Sequence, residues 1–578
     1  MGALDHKTRR RRRNRLAAEL AATYHPRKHF RLGQDIGWHW QFDDPLKRVG
    51  IPYEWTDTAG TTPVTAVGQG IGLLLGREYG GATGPSLLAN GTTGLTGTAT
   101  AASYNTSTFA GSVSRAGDAS NQSWVTWTGL TTSAVYRLRI TNTGATSLDV
   151  RNGGVAGTIV ASIAAGASTW VHPATTGGST SITITATANS TTATFTLGQF
   201  AVLPGTHLIQ ATGTAKPTLS ALVNRLIATE AMNGASWTKG FGGTAVIPVI
   251  TDGYTTDDEG KPASRVQLNK GAGSTLSDIS NFSQVSTGSV TGASYKARFK
   301  VKATSAGEIG KVILFRQAAG SGYVQITLTS SWQEVVRHET AISTSITYDF
   351  ALRGTLGSSN SADFLVSQID LRTADDAAKL IPAYQRVGAT AADHDTDGFP
   401  HFARADGTDD CWASVATVDG SATDKLTVVA AVTKNSDAAV AVLMELTADA
   451  TANNGGFYMA APPQLGQPNY GLASRGSASV AVNTATSYAA PITSVLTFNG
   501  DIGADVATLQ VGSVQAATSS SDQGTGNYAN ATLNVLSRAG SSFRFNGRFY
   551  GSTGRFGSMS DSERNNLNRW WRKRIGTA

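Results

Sequence analysis

Short stretches of alternating apolar and polar residues, separated by glycine-rich turns, constrain this fold more than any other feature of the sequence. Segments such as Val135–Ile140 and Thr194–Leu197 place every second side chain on one face, which is the period of a strand with one buried side. The turns at 152–154 and 176–178 contain paired glycines. No long amphipathic helix interrupts this pattern, so it predicts an all-β chain of sandwich or jelly-roll modules.

Length and composition agree with a modular β protein. The chain has 578 residues, of which 64 are glycine, 40% are hydrophobic and only 15% are charged, and this length predicts about four domains. The single cysteine, Cys411, excludes a disulfide framework within the chain and a cysteine-based zinc site, and we expect it to be a small buried side chain. No apolar run is long enough to span a membrane, and we expect no secretory signal at the N-terminus.

The positive charge of the chain is concentrated at its start. Residues 1–48 hold twelve Lys/Arg and five Asp/Glu, so they account for the whole net charge of +7. The neutral remainder argues against dedicated nucleic-acid binding. We interpret the start as a short, basic, helical arm that anchors the chain on an acidic partner surface, and the alternative is a solvated tail. The anchoring candidates are Arg9, Arg10, Arg11, Arg12, Arg13, Trp38 and Trp40.

Breaks in the strand pattern divide the chain into five predicted regions. Gly- and Pro-rich linkers and changes in composition set their boundaries. The regions are the basic anchoring arm (1–54), a turn-rich strip (55–85), a first β-sandwich (86–205), a jelly roll (206–390) and a terminal sandwich (391–578).

Three stretches resemble parts of one class of proteins. The string Asp57–Gln69 resembles a segment of tail-associated virion proteins of tailed bacteriophages. The order of signatures over 206–390, which closes with Pro382–Arg386, is similar to the carbohydrate-binding-module-like jelly rolls of phage tail proteins. The terminal region resembles their concanavalin-A-like or laminin-G-like domain. This resemblance implies tandem β-sandwich modules with a C-terminal concanavalin-A-like sandwich.

The resemblance also implies a function and partners. It implies a structural component of the phage particle, associated with the tail as a fibre, spike or tip, which contributes to binding of host surface glycans. The arm would contact other virion proteins, and the chain would form a homo-oligomer, with a trimer as the expected state. Three alternatives remain: a non-adhesive decoration, neck or tail protein that makes protein–protein contacts, a polysaccharide-degrading tail enzyme, and a secreted bacterial adhesin.

The sequence gives little support for catalysis. No Gly-x-Ser-x-Gly elbow precedes a helix, and no phosphate-binding loop is present. Hydrolysis of a glycan needs two carboxylates that flank one bond, and the sequence places no such pair together. We therefore expect binding without turnover and no catalytic residue.

Sugar binding needs an aromatic ring beside a few polar groups, because a sugar has an apolar face and a rim of hydroxyls. Several aromatic residues near predicted loops have this character, although each could instead pack in the core. The ligand-binding candidates are Trp412, Tyr458, Tyr528 and Trp237, and Tyr254 belongs to the same group of loop-adjacent aromatics.

Two loops rich in aspartate are candidates for a cation site. Oxygen-rich loops can hold Ca²⁺, which takes about six to eight oxygen ligands. The candidate ligands are Asp395, Asp397 and Asp409, and Ca²⁺ is the only cofactor that the sequence suggests. The alternative is that these Asp-Gly strings are ordinary turns.

Overall fold

The computed structural model describes residues 30, 36–43, 53–58, 62–77, 86–117, 120–132, 134–175, 178–189, 191–203, 205–210, 212–317 and 322–577. Nearly all regular structure in this part of the chain is β-strand, which confirms the predicted all-β class. The chain divides into two compact units. One comprises residues up to 219 with 402–488 and 494–574, and the other comprises 220–401 with 489–493 and 575–578.

Fifteen strands lie among the described residues before the second unit. They are β1 (Gly37–Gln41), β2 (Glu54–Trp55), β3 (Leu73–Leu74), β4 (Thr92–Leu95), β5 (Ser103–Tyr104), β6 (Ala110–Arg115), β7 (Ser123–Trp127), β8 (Val135–Asn142), β9 (Leu148–Asn152), β10 (Thr158–Ile163), β11 (Ser168–Val171), β12 (Ile182–Ala186), β13 (Thr191–Leu203), β14 (Leu208–Ile209) and β15 (Thr218–Ser220). A 3-10 helix covers Leu88–Asn90.

The second unit contains ten strands. They are β16 (Thr238–Gly242), β17 (Val246–Thr256), β18 (Pro262–Asn269), β19 (Ile279–Thr287), β20 (Ser294–Ala303), β21 (Val312–Arg316), β22 (Val324–Thr327), β23 (Gln333–Thr340), β24 (Ser345–Arg353) and β25 (Ser361–Thr373). A 3-10 helix at Ala306–Glu308 and the short helix α1 (Ala374–Ala378) accompany them.

The remaining strands return to the first unit. They are β26 (Phe402–Asp406), β27 (Trp412–Ser414), β28 (Val418–Asp419), β29 (Lys425–Lys434), β30 (Val442–Leu446), β31 (Phe457–Ala460), β32 (Gly471–Arg475), β33 (Ser479–Asn483), β34 (Ile492–Asp501), β35 (Val506–Val511), β36 (Val514–Ser519), β37 (Asn530–Ala531), β38 (Leu533–Val535) and β39 (Asn546–Phe556). Helix α2 (Asp561–Arg574) closes the chain.

Strands β4–β13 form the first sandwich, which lies within the range predicted for it. Its two antiparallel sheets have the orders β10-β9-β12-β7-β4 and β11-β8-β13-β6-β5. Trp127 of one sheet meets Phe200 of the other with ring centroids 5.0 Å apart. The alternating apolar residues of the two sheets therefore face each other, as their period of two predicts.

Strands β16–β25 form the second sandwich. Its sheets have the orders β16-β19-β24-β21-β22 and β17-β18-β25-β20-β23. The rings of Phe299 and Phe350, which belong to different sheets, lie 4.7 Å apart at their centroids. Aromatic packing of this kind fills the core between the two sheets.

The terminal sandwich is assembled from three separate stretches of chain. One sheet has the order β15-β26-β39-β29-β34-β35-β36, with β1 also paired to β39, and the other has the order β2-β3-β14-β27-β38-β30-β31-β32-β33. Strands β3 and β14 pair directly, although the whole first sandwich lies between them in the sequence. In the same way, β15 neighbours β26, and the second sandwich lies between them in the sequence.

This topology corrects the predicted separation of the arm (1–54) and the strip (55–85) from the terminal domain. Gly37–Gln41 pairs with Gly551–Arg555 of β39, and Glu54–Trp55 pairs with β3. Both stretches thus supply strands to the terminal sandwich. The physical reason is that a strand must satisfy its backbone groups on a neighbour, and sequence alternation does not identify that neighbour.

Helix α2 begins at a capping box. The hydroxyl of Ser560 accepts from the Glu563 backbone N–H at 3.3 Å, and the Glu563 carboxylate accepts from the Ser560 N–H at 2.8 Å. Its buried Trp571 donates from Nε1 to the hydroxyl of Thr553 on β39 at 3.2 Å. None of the helices among the described residues has the length and apolar character needed to cross a membrane.

Candidate functional site

Three of the four aromatic residues predicted to bind ligand lie in the cores. Trp412, Tyr528 and Trp237 are almost fully buried. The Nε1–H of Trp412 donates to the carbonyl of Ile71 at 2.9 Å, and that of Trp237 donates to the carbonyl of Ala228 at 3.1 Å. These rings offer no face to a ligand, so the structure corrects their predicted role. Each fills space between two sheets. The two tryptophans satisfy their Nε1–H on backbone carbonyls, and the Tyr528 hydroxyl pairs with the Ser474 hydroxyl at 3.0 Å.

Tyr458 is the fourth candidate, and it keeps part of its surface. It lies on β31, opposite Glu445 of β30, and the guanidinium carbon of Arg538 lies 5.6 Å from its ring centroid. Burial raises the pKa of Tyr458 above its ordinary value. Tyr458 therefore belongs to a partly exposed polar cluster of the terminal sandwich.

The predicted anchoring residues divide into two groups. Arg9, Arg10, Arg11, Arg12 and Arg13 lie outside the described residues. Trp38 and Trp40 are fully buried in β1. The Nε1–H of Trp38 donates to the Ser552 hydroxyl at 3.1 Å, and that of Trp40 donates to the Thr206 carbonyl at 2.8 Å. This corrects their assignment as docking residues, because both side chains are already enclosed by their own chain.

The predicted cation ligands do not form a site. Among the described residues, no group of three or more His, Cys, Asp or Glu side chains could hold a metal ion. Asp395 instead pairs with Arg386, with 3.1 Å between Oδ1 and Nε. The expected Ca²⁺ site at Asp395, Asp397 and Asp409 is thereby corrected, since a carboxylate neutralised by arginine is a poor ligand for a cation.

The second sandwich presents an exposed aromatic ring on its outer face. Tyr254, on β17, is 52% exposed. The register between β17 and β18 shifts between Thr251 and Thr255, and Gly253 inside this irregularity has φ +60°. Such a bulge re-aims side chains. It takes Tyr254 out of the regular alternation of the strand and leaves its ring at the surface.

Arg265 of β18 supports this ring from one side. Its guanidinium carbon lies 5.3 Å from the centroid of Tyr254, a distance at which a cation is attracted to an aromatic face. Hydrogen bonding to Asp363 raises the pKa of Arg265 above its ordinary value. The arginine is therefore a permanent cation that holds one face of the ring and leaves the other face open.

Asp363 of β25 completes a polar row beside the ring. It accepts from Nε of Arg265 at 2.9 Å, and Nη2 of the same guanidinium also contacts it. The side-chain amide of Gln267 donates to Asp363 at 3.1 Å. Because these side chains stand on neighbouring strands, in register, their donors and acceptors are held in fixed positions. We call Tyr254, Arg265, Gln267 and Asp363 the Tyr254 face.

Charged side chains surround the Tyr254 face. Lys302 of β20 lies opposite Leu365, which in turn lies opposite Arg265. Lys300 bonds to the carboxylates of Asp258 and Glu259 at 2.6 and 2.8 Å. Polar side chains that already pair with one another therefore surround the one exposed ring. A ligand with many hydroxyls and one apolar face needs a surface of this kind.

The arrangement is suited to binding rather than to proton transfer. Both carboxylate oxygens of Asp363 accept hydrogen bonds from Arg265 or Gln267, so this carboxylate is committed to its neighbours. A glycosidase needs one carboxylic acid that gives a proton and a second carboxylate across the bond. The Tyr254 face offers a single carboxylate, Asp363, and its oxygens are held by Arg265 and Gln267.

Sequence reasoning included Tyr254 only within a wider group of loop-adjacent aromatics, and it missed Arg265, Gln267 and Asp363. A signal was present in the alternation Arg265-Val-Gln267, which puts two long polar side chains on the outer face of one strand. Asp363 carried no comparable signal. Its position opposite Gln267 follows from the pairing of β18 with β25, about a hundred residues later in the chain.

Comparison with known proteins assigns this chain to no family. No family model matches the chain, and no curated protein matches it. Among solved structures, it is similar to the CBM40 of a Ruminococcus gnavus IT-sialidase bound to alpha2,3 sialyllactose, with 16% identity over 25% of this chain and 83% of that chain, at a TM-score of 0.21.

Two further solved structures give similar values. Domain 4 of a GH43 extracellular arabinanase from Geobacillus stearothermophilus has 16% identity over 29% of this chain and 81% of that chain, at a TM-score of 0.22. The enzymatically active domain of tailspike protein 4 of Bacteriophage CBA120 has 12% identity over 27% of this chain and 22% of that chain, at a TM-score of 0.19. At these TM-scores the likeness carries no argument about a ligand, so the function must be argued from the Tyr254 face itself.

Proposed function

We propose that this chain is a glycan-binding structural protein of a tailed-bacteriophage particle. The Tyr254 face of its second sandwich would contact host surface polysaccharide. The observation that carries the proposal is the exposed ring of Tyr254, backed by Arg265 and flanked by fixed donors and acceptors. A sugar ring would stack on the open face of the tyrosine, and its hydroxyls would reach Arg265 and Gln267.

The proposed mechanism is binding without turnover. A single exposed tyrosine with a few polar neighbours supports weak binding, and several copies on one particle would raise the effective concentration. A homo-oligomer, with a trimer as its expected state, would provide such copies. The resemblance of Asp57–Gln69 to tail-associated virion proteins supports placement on the tail, where the basic residues 1–48 would contact other virion proteins.

Glycan-array binding of the full chain tests the Tyr254 face. We expect the wild type to bind a subset of polysaccharides and Tyr254→Ala to lose that binding. Phe241→Ala is the matched control, since Phe241 is also on the second sandwich and is 60% exposed, but it is not part of the polar row. Equal binding by wild type and Tyr254→Ala would remove the Tyr254 face from the proposal. Release of oligosaccharide products from a bound polysaccharide would mean that the chain hydrolyses its ligand, and it would contradict binding without turnover.

A non-adhesive structural role is the second candidate, and one observation favours it. Val246, Ile247 and Val249 on β17 are each more than half exposed, and β17 is the edge strand of its sheet. Exposed apolar residues on an edge strand favour contact with another protein. Cryo-electron microscopy of the assembled particle separates the candidates. In a structural part a neighbouring subunit would cover β17, including Tyr254, whereas in an adhesin the Tyr254 face would project outward.

A further inference from the structure

The loop between β38 and β39 builds a second exposed aromatic site, on the terminal sandwich. Phe543 is 40% exposed, and the guanidinium carbon of Arg538 lies 5.0 Å from its ring centroid. The same guanidinium lies 5.6 Å from the ring of Tyr458. Arg538 is thus held between one half-buried ring and one exposed ring. We call Phe543, Arg538, Tyr458, Glu445 and Asp449 the Phe543 site.

Two carboxylates fix the position of Arg538. Its Nε donates to Oε2 of the buried Glu445 at 3.0 Å, and Nη1 lies 3.4 Å from Oδ1 of Asp449. The other oxygen of Glu445 accepts from the Ala450 N–H at 2.8 Å. The Glu445 carboxylate at the buried end of this network therefore has a partner on each oxygen. The exposed ring of Phe543 packs against a guanidinium that the carboxylates hold in place.

The backbone of the loop is held in an unusual conformation around this site. Leu536, Ala539 and Phe543 have φ values of +66°, +48° and +49°, in the left-handed region that side chains other than glycine rarely adopt. Hydrogen bonds stabilise it. The Arg538 N–H donates to the Ser542 carbonyl and the Val442 N–H donates to the Phe543 carbonyl, both at 2.8 Å. The loop therefore presents the phenylalanine ring in a fixed orientation.

Asp449 supplies a polar group at the exposed edge. Its side chain is 37% exposed. Its Oδ1 accepts from the backbone and the hydroxyl of Thr451, and these bonds hold the carboxylate in position at the surface. A carboxylate oxygen beside an exposed ring can accept hydrogen bonds from two adjacent sugar hydroxyls.

We propose that the Phe543 site is a second glycan-binding site, separate from the Tyr254 face, and that it takes neutral sugars. The sugar would stack on Phe543 and donate hydroxyl hydrogens to Asp449. Neutral ligands are favoured because the charged group that the sugar would contact directly is the exposed Asp449 carboxylate, which repels an anionic sugar. The site stands on residues of the terminal sandwich alone, and it does not require the Tyr254 face to bind.

Saturation-transfer NMR of the full chain tests this proposal. The probes are neutral trisaccharides of glucose, galactose and mannose, with sialyllactose as the anionic comparison. In the Tyr254→Ala background, we expect residual signal from at least one neutral trisaccharide and none from sialyllactose. Adding Phe543→Ala should reduce the residual signal by about tenfold. Adding Phe241→Ala instead should leave it unchanged.

Three results would overturn the proposal. They are the absence of residual signal from every neutral probe in Tyr254→Ala, an unchanged residual signal after Phe543→Ala, and binding of sialyllactose in place of the neutral probes. Alanine tolerates the left-handed backbone little worse than phenylalanine does, so Phe543→Ala should fold, and a wild-type thermal transition verifies this. Loss of wild-type binding in Tyr254→Ala together with persistent Phe543-dependent binding would support both sites independently.

Discussion

The second sandwich and the terminal sandwich have similar layers but different construction. Strands β16–β25 come from one continuous stretch of chain, and their core aromatics all lie between Trp237 and Phe364. The terminal sandwich instead combines strands from residues 37–74, 208–220 and 402–556. The difference teaches that a domain with an ordinary two-sheet core can depend on a strand from the far end of the chain.

The two tryptophans Trp38 and Trp237 give the sharpest test of this comparison. Trp38 belongs to β1 and stacks on Phe457 of the opposite sheet at 6.3 Å, whereas Trp237 packs on Phe282 in the second sandwich at 5.6 Å. We expect Trp38→Ala to lower the free energy of unfolding of the terminal sandwich by about 3–5 kcal/mol, because a large buried ring is lost and a cavity remains.

Hydrogen exchange followed by mass spectrometry locates this effect. Trp38→Ala should speed exchange in peptides from β29 and β39. Trp237→Ala should speed exchange in peptides from β19 and β24, which carry the ring partners of Trp237. If Trp38→Ala leaves the β39 peptides unchanged, β1 is dispensable and the terminal sandwich is as self-contained as the second one.

A buried ion cluster joins the separated stretches of the terminal sandwich. Arg77 contacts Asp43 at 2.5 Å and the fully buried Glu54 at 3.0 Å, and Arg574 reaches the other oxygen of Asp43 at 3.1 Å. Burial opposes ionisation of Asp43, but Arg77 and Arg574 outweigh it and lower the pKa of Asp43 to about 2. The cluster therefore stays charged at neutral pH.

Removing its central cation should have the next largest effect. We expect Arg77→Met to destabilise the terminal sandwich by about 3 kcal/mol, because Glu54 would remain buried without its partner. Urea denaturation measures this change. Adding Glu54→Gln should recover part of the loss, since a neutral amide costs less to bury than a carboxylate. A double variant no more stable than Arg77→Met would contradict this account.

His207 makes the stability of the same region depend on pH. Its Nδ1 accepts from the Gly76 N–H at 2.8 Å, and its Nε2 lies 3.0 Å from the Leu203 carbonyl. Burial lowers the pKa of His207 from 6.5 to about 4. Between these pH values the unfolded chain binds more protons, so stability is complete above about pH 6.5 and falls as pH approaches about 4.

The loss should amount to at most about 3 kcal/mol. Urea midpoints at about pH 7 and about pH 5 measure it. His207→Gln keeps an acceptor and a donor but does not titrate, so its midpoint should change less between these pH values than that of the wild type. Equal pH dependence in both proteins would assign the effect to other groups.

The smallest expected effect concerns the exposed ring of the second sandwich. Tyr254→Ala should change the free energy of unfolding by no more than about 0.5 kcal/mol, because the ring is half exposed and lies outside the core. Its thermal transition should therefore match that of the wild type, while glycan binding at the Tyr254 face is lost. A large destabilisation would mean that Tyr254 is a packing residue like Trp237.

The sequence allowed much of the local structure to be predicted. Alternation identified strands such as β8 and β13, and the lone Cys411 is buried as expected. The candidate site was less predictable. Trp237, Trp412 and Tyr528 could not be told apart from Tyr254, because exposure of an aromatic near a loop depends on whether another sheet covers it.

By itself, the sequence determined that the chain is all-β and modular, because period, turn residues and capping are local properties of neighbouring residues. Only the tertiary structure decided that Trp38 meets Ser552, 514 positions later, and that Asp363 meets Arg265. The physical reason is that strand pairing satisfies backbone groups between segments of any separation, so alternation shows which face is buried but not which segment buries it.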